Sequence, residues 1–225
     1  MNKKNIEKIV NRCEQILDLT NAKLSNEYFY QSLSLCVIDA VYSLGASYES
    51  TRHVVIKYCS YFNLQRIKKN KNNLPKKETQ EPIENFLEKM QRLGVEKFAK
   101  EIFQNRQRTS TKNGILKAEA VLKFATVLKK YNINYLQDVP AVISNSNFDK
   151  NIRKIPGQRS GKSLKYFFML SGSDDFVKPD RMILGFLKDT LQKNVLPEEA
   201  QYLLCEASKK LKPKYPNITP KVLDY

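Results

Sequence analysis

Apolar residues recur at helical spacing along most of the chain. Ile6, Ile9 and Cys13 lie three or four positions apart with charged residues between them, which predicts a first amphipathic helix. The stretch YFYQSLSLCVIDAVYSLG, residues 28–45, is apolar almost all round, so it is predicted to be a helix inside a core. Glu49 begins a third predicted helix. Alternating strand patterns are few, and we therefore predict an all-α fold.

The middle of the chain alternates between polar loops and shorter helices. Residues 66–80, RIKKNKNNLPKKETQ, are basic and interrupted by a proline, which predicts a mobile loop. Two short amphipathic helices are predicted over 82–93 and 95–104, with Gly94 as the C-cap between them. Further helices are predicted from about Gly114 onward and over residues 135–142, 147–154 and 162–170.

Composition and charge narrow the function classes. The chain has 225 residues, of which 41% are hydrophobic and 10% aromatic, enough for a real core, so global disorder is excluded. Lys and Arg number 39 against 23 Asp and Glu, a formal charge of +16. Such an excess attracts polyanions, of which nucleic acid is the commonest, and we expect nucleic acid as the partner. The alternative is an interaction protein whose charge only reflects its composition.

The four cysteines are scattered singly, at positions 13, 36, 59 and 205, without a paired spacing or a nearby histidine. That pattern does not build a zinc or iron–sulfur site, so we predict buried free thiols, no metal and no cofactor. His53, the single histidine, is predicted to be a surface or capping residue. No signal peptide or long apolar run is present, so we expect a soluble monomer, cytoplasmic and nucleoid-associated, without membrane contact.

The short turn IPGQRSG, residues 155–161, holds two of the chain's seven glycines. Pro156 ends the preceding helix, while Gly157 and Gly161 permit positive φ and close approach of another backbone. Exposed amides of such a turn, with the N-terminus of the next helix, suit a phosphate oxygen. The candidate DNA contacts in this turn are Gly157, Gln158, Arg159, Ser160 and Gly161.

A second group of hydrogen-bond donors precedes the helix predicted near Gly114. NRQRTST, residues 105–111, contains two arginines and several hydroxyls. Donors placed just before a helix can grip phosphates, which would make Arg106, Arg108 and Thr109 DNA contacts. The same pattern is typical of a capping loop with exposed arginines, and the sequence leaves both interpretations open.

The stretch from the glycine turn onward, IPGQRSGKSLKYFFML followed by VKPDRMI, resembles the helix-hairpin-helix (HhH-GPD) DNA glycosylase superfamily. Members such as endonuclease III carry a Leu-Pro-Gly-x-Gly hairpin, a hydrophobic helix and then an invariant aspartate. Asp180 stands in the place of that aspartate, and Lys162 lies at the interval of the nucleophilic lysine of bifunctional members. The hairpin is one residue longer here, and the four-cysteine iron–sulfur cluster of endonuclease III is absent.

The resemblance implies a fold and a reaction. It implies two helical lobes with a DNA-binding cleft between them, one of residues 26–174 and the other of 1–25 with 175–225. It further implies a monofunctional DNA glycosylase that acts on double-stranded DNA, extrudes a damaged, mismatched or modified base and cleaves its N-glycosidic bond. In this reaction Asp180 would be the catalytic carboxylate and Lys162 a second catalytic candidate. Candidates for the lining of a base pocket are Tyr48, Tyr166 and Phe168.

Each catalytic candidate also has a plain alternative. Asp180 follows a proline and precedes the apolar segment RMILGFL, so it could serve only as a helix N-cap. Lys162 could be a lysine at a helix start that faces a phosphate. The competing function is a non-catalytic helix-hairpin-helix protein that binds DNA without base chemistry.

Overall fold

The computed structural model describes residues 2–225, and within them the regular elements are helical, without a β-strand. The prediction of an all-α fold is confirmed. The α-helices are α1 (Asn2–Ile16), α2 (Leu33–Tyr42), α3 (Tyr48–Phe62), α4 (Ile83–Leu93), α5 (Val95–Lys97), α6 (Lys117–Lys130), α7 (Ser146–Arg153), α8 (Lys162–Leu170), α9 (Arg181–Leu191), α10 (Pro197–Leu211) and α11 (Pro220–Asp224). Short 3-10 helices cover Asn26–Phe29, Lys77–Thr79 and Leu136–Val142, and a π-helix covers Phe98–Ile102.

The chain forms two compact units. The larger unit is one continuous segment, Asn26–Gly172. The smaller unit combines the residues up to Ser25 with Ser173–Tyr225, so it is built from both ends of the chain.

Helix α2 is the centre of the larger unit. All of its residues are buried, as its apolar sequence predicts, and it packs against α3, α6 and α8. The helix begins at Leu33, later than predicted. Two backbone hydrogen bonds account for the difference: Gln31 N donates to Arg66 O and Lys68 N donates to Phe29 O. The chain just before α2 is therefore extended, and the start of the 66–80 loop is tied to it.

Two other helix starts differ from the prediction. Helix α3 begins at Tyr48 because the Ser47 hydroxyl caps it by accepting from Ser50 N. Helix α6 begins at Lys117 rather than near Gly114, since the preceding residues pair with the 105–111 segment. Lys117 N donates to Gln107 O at 2.8 Å. The boundaries of α8 and the C-cap at Gly94 agree with the prediction.

A buried carboxylate ties three elements of the larger unit together. Glu81 is only 7% exposed. Its side chain accepts hydrogen bonds from Tyr58 Oη at 2.7 and 2.9 Å and from Ser34 Oγ at 2.5 Å. Lys89 Nζ, on α4, donates to Glu81 Oε1 at 2.6 Å. The charge of Glu81 is thus balanced by a cation and by hydroxyls of α2 and α3, as a buried charge requires.

The core of the smaller unit lies between α1, α9 and α10, which pack against one another. Ile9 and Cys13 of α1 are fully buried there, in agreement with the helical spacing of the first segment. Helix α9 contributes Leu187 and α10 contributes Leu203 and Leu204. Neither part of this unit contains the whole core, so α1 depends on helices about 180 residues downstream.

The cysteines are free thiols, as predicted. Cys13, Cys36 and Cys59 are buried, whereas Cys205 is half-buried on α10. Burial raises the pKa of both Cys13 and Cys59 to about 12, so neither thiol is a reactive thiolate at neutral pH. His53 is exposed on α3. Among the helices described for residues 2–225, none is long and apolar enough to cross a membrane.

Candidate functional site

The glycine turn joins α7 to α8 in the larger unit. Gly157 has φ +85° and Gly161 has φ +70°, so both occupy the left-handed region that other residues rarely adopt. Gly157, Arg159 and Ser160 are exposed to solvent, whereas Gln158 and Gly161 are buried. The turn is therefore an accessible surface feature, as a phosphate-binding role requires.

Both glycines are also in close contact with neighbouring side chains. A Cβ atom at position 157 would overlap Thr109, and one at position 161 would overlap the guanidinium of Arg153. Gly157 thus satisfies a conformational and a packing requirement, whereas the requirement at Gly161 is conformational, because the end of the Arg153 side chain can move. The contact at Gly157 places Thr109 of the 105–111 segment directly against the turn, so two separately predicted groups of DNA-contacting residues are neighbours in the structure.

Arg153 stabilises the turn from the end of α7. Its Nη1 donates to the carbonyl of Arg159 at 3.2 Å, and its Nε donates to Asp149 Oδ2 at 2.6 Å. The guanidinium of Arg153 thus fixes the carbonyl of Arg159, and the carboxylate of Asp149 balances the charge of the guanidinium. Sequence reasoning missed this residue because an arginine in the last helical turn is usually only a favourable end charge.

Gln158 is the one member of the turn with a fully buried side chain. Its Oε1 accepts a hydrogen bond from Ser163 Oγ. Its Nε2, like Thr109 Oγ1, is buried without a partner among the described residues. The side chain of Gln158 therefore fills the inside of the turn, and the outward face consists of backbone together with Arg159 and Ser160.

The N-cap of α8 has no side chain that could accept from the backbone amides of the first turn, in which Ser163 and Leu164 are buried. Gly161 occupies the N-cap position. Ser160 Oγ lies 3.4 Å from Lys162 N, the limit of a hydrogen bond. Lys162 itself is half-buried at the first position of the helix. This arrangement favours an anion at the N-terminus of α8.

The two arginines of the 105–111 segment already have partners. Arg108 Nη1 donates to Gly114 O at 2.6 Å, which closes the loop on itself. Arg106 pairs with Glu96 at 3.0 Å, with both side chains largely exposed. An exposed pair of this kind contributes little, so Arg106 can exchange Glu96 for a phosphate. Arg108 instead supports the loop that carries Thr109.

Lys117 is a buried cation that sequence reasoning missed. It is 3% exposed, and its Nζ donates to Tyr42 O at 2.9 Å, Leu44 O at 2.8 Å and Gln107 Oε1 at 3.0 Å. Burial lowers the pKa of Lys117 to about 8. The sequence signal for its burial is its spacing, because Lys117 lies four residues before Val121 and seven before Phe124, on the apolar face of α6. Lys117 fixes the chain that follows α2.

The three aromatic candidates for a base pocket lie in the larger unit in different surroundings. Tyr48 is 54% exposed at the start of α3. Tyr166 is 8% exposed and meets Tyr28 edge to face at 6.2 Å between ring centroids. Phe168 is 3% exposed and packs near Phe148 and Phe167. Tyr166 and Phe168 are therefore core residues, and contact of any of the three with a base stays a prediction.

Asp180, in the smaller unit, is the N-cap of α9. Its Oδ1 accepts from Met182 N at 2.8 Å and from Ile183 N at 3.2 Å. The side chain is half-buried, and the capping geometry predicted for it is present. One carboxylate oxygen makes both capping bonds. A catalytic role for Asp180 stays a prediction.

The acidic and sulfur-containing side chains do not form a metal site. Within the described residues, no group of three or more His, Cys, Asp or Glu side chains is placed to hold an ion.

The fold and the site define an all-α protein in which an exposed glycine turn joins two helices and an aspartate begins another. The chain belongs to the family described as Domain of unknown function (DUF8548), whose model matches residues 7–225. No curated protein and no solved structure matches it.

Proposed function

We propose that this protein is a DNA glycosylase that binds double-stranded DNA and releases a damaged, mismatched or modified base. The observation that carries the proposal is the glycine turn of residues 157–161, in which Gly157, Arg159 and Ser160 are exposed and the next helix, α8, has no side-chain cap. Backbone amides at such a place bind phosphate oxygens without reading sequence. The formal charge of +16 supplies the long-range attraction.

Asp180 suits the chemistry of this reaction. Cleavage of the glycosidic bond develops positive charge on the sugar, and a nearby carboxylate stabilises that charge or orients a water molecule. The base must also leave the helical stack, which requires firm anchors on the DNA backbone. In this proposal the turn and Arg159 provide an anchor, and Asp180 acts on the extruded nucleotide.

A non-catalytic DNA-binding protein is the second candidate, and one observation favours it. The two hydrogen bonds from Met182 N and Ile183 N account for an aspartate at position 180 without any catalysis. In that case the glycine turn would still bind DNA, but no base would be released.

The experiment that tests the proposal is a screen of DNA duplexes that each carry one modified or mismatched base. Release of free bases by the full-length protein is followed by mass spectrometry. A released base supports the glycosylase. Salt-dependent duplex binding without any release supports the second candidate, and absence of duplex binding contradicts both.

Arg159→Ala is expected to weaken duplex binding by a similar factor for all sequences, because a phosphate contact carries no base information. The slope of the logarithm of the binding constant against the logarithm of the salt concentration should correspond to about one fewer released counterion. Binding isotherms at several salt concentrations measure both quantities. Arg92→Ala is the matched control, since it removes the same charge from another exposed position of the larger unit. Equal affinities of the two variants would contradict a DNA contact at the turn.

Lys162→Gln is expected to release the base as the unaltered protein does. Neither protein is expected to form a covalent intermediate that can be trapped. A nucleophilic lysine would form an imine with the sugar, and borohydride would convert it to a covalent protein–DNA adduct. Lys162 has the family interval to Asp180, but the extra hairpin residue means that it aligns with the family lysine only through a gap, so we expect hydrolysis by water. Gel electrophoresis after borohydride treatment detects an adduct. One that forms with the unaltered protein and disappears in Lys162→Gln would overturn this expectation.

A further inference from the structure

The segment that leads into Asp180, residues 174–180, is held by two helices of the smaller unit. On α10, Gln201 Oε1 accepts from Val177 N at 3.1 Å, and its Nε2 donates to Asp175 O at 2.8 Å. This one side chain therefore fixes two backbone groups of the segment.

Helix α11 contacts the same segment at two further points. Lys221 Nζ pairs with Asp174 Oδ1 at 2.6 Å, and Lys221 N donates to Asp174 O at 3.2 Å. Asp224 Oδ1 accepts from Lys178 N at 2.8 Å. Lys178 O in turn accepts from Asp180 N at 2.6 Å. Asp224 thus holds the backbone only two residues before Asp180.

The surroundings of Asp224 disfavour its charged form. Burial raises the pKa of Asp224 to about 7, and the charge of Asp180 acts in the same direction. The amide and the ammonium of Lys178 act in the opposite direction. On its own helix, Lys221 is already paired with Asp174. On α10, the titratable group against the segment is the thiol of Cys205, whose pKa is raised by burial.

We propose that Asp224 is a positioning residue for Asp180: it fixes the turn before α9, and its carboxylate contributes to the electrostatic field around Asp180. Two observations carry this inference: the hydrogen bond from Lys178 N to Asp224, and the ion pair between Lys221 of α11 and Asp174 at the start of the segment. Its consequence for base release rests on the proposed function.

Ionisation of Asp224 changes the electrostatic field at Asp180. At low pH Asp224 is neutral. When Asp224 ionises at higher pH, its negative charge strengthens the attraction of this region for a cationic sugar. In the active enzyme, base release should therefore rise by about fivefold as Asp224 ionises.

The test is a pH titration of the side-chain carboxyl carbons by NMR in the full-length protein, with Asp180 assigned through Asp180→Asn. We expect the Asp224 carbon to titrate near pH 7 and the Asp180 carbon to show a smaller inflection at the same pH. In Asp224→Asn, which keeps an acceptor for Lys178 N, the inflection at Asp180 should disappear. In Asp189→Asn, a charge removal at an exposed position of α9 outside this network, it should remain.

Two results would overturn the inference. Either Asp224 titrates below about pH 5, in the usual range of an aspartate, or the inflection of Asp180 near neutral pH persists in Asp224→Asn. Base release provides a separate readout, since its pH-dependent rise should be lost in Asp224→Asn alone. If the unaltered protein releases no base, the proposed function fails, while the NMR titration still decides the coupling of the two carboxylates.

Discussion

Asp180→Asn is expected to lower base release by at least about 100-fold, the usual loss for a positioned acid–base or electrostatic group. The substitution keeps the oxygen that accepts from Met182 N and Ile183 N, so α9 stays capped. It removes the negative charge that would stabilise the sugar. Duplex affinity should change little, because the phosphate anchors are elsewhere. The measurement is single-turnover base release together with a duplex-binding isotherm.

The matched control is Asp189→Asn, which removes the same charge from an exposed position near the other end of α9. We expect full activity in this control. Full activity in Asp180→Asn as well would refute the catalytic role and leave the capping role as the complete explanation of Asp180.

Glu81→Met is expected to destabilise the larger unit by about 3–5 kcal/mol, the typical cost of removing one partner from a buried charge pair. The substitution leaves the hydroxyls of Tyr58 and Ser34 buried without their acceptor, and Lys89 without its counter-ion. Each orphaned polar group carries a desolvation penalty of about 1–3 kcal/mol. Urea unfolding followed by circular dichroism measures the loss.

Glu88→Met is the control for this substitution. Glu88 is exposed on α4, so its replacement should change the free energy of unfolding by less than about 0.5 kcal/mol. Glu81→Gln should fall between the two, because the amide keeps one acceptor but loses the charge. A loss for Glu81→Met no larger than that for Glu88→Met would show that the buried network contributes nothing to stability.

The sequence predicts an element well where its determinants are local. Helix α8 has the predicted bounds, 162–170, because Gly161 begins it and its own apolar spacing continues it. The capping position of Asp180 follows in the same way from the proline before it and the apolar segment after it. Gly94 ends α4 as expected for a glycine with positive φ.

Features that depend on distant residues are the ones that the sequence did not predict. Helix α2 starts late because Gln31 N pairs with Arg66 O, 35 positions along the chain. The burial of Lys117 depends on carbonyls at positions 42 and 44, and Asp224 is identifiable only from its contact with Lys178. Local propensity carries no information on such pairings, so they need the folded structure.

The discontinuous smaller unit has a consequence for synthesis on the ribosome. Helix α1 emerges first, but α9 and α10, against which its apolar face packs, are translated only after the whole segment Asn26–Gly172. The nascent chain can therefore complete the larger unit while Ile9 and Cys13 still lack their packing partners. The segment that carries Asp180 becomes ordered last, when α11 has left the exit tunnel. Chains that terminate early would expose the apolar face of α1 and lack the segment held by α11.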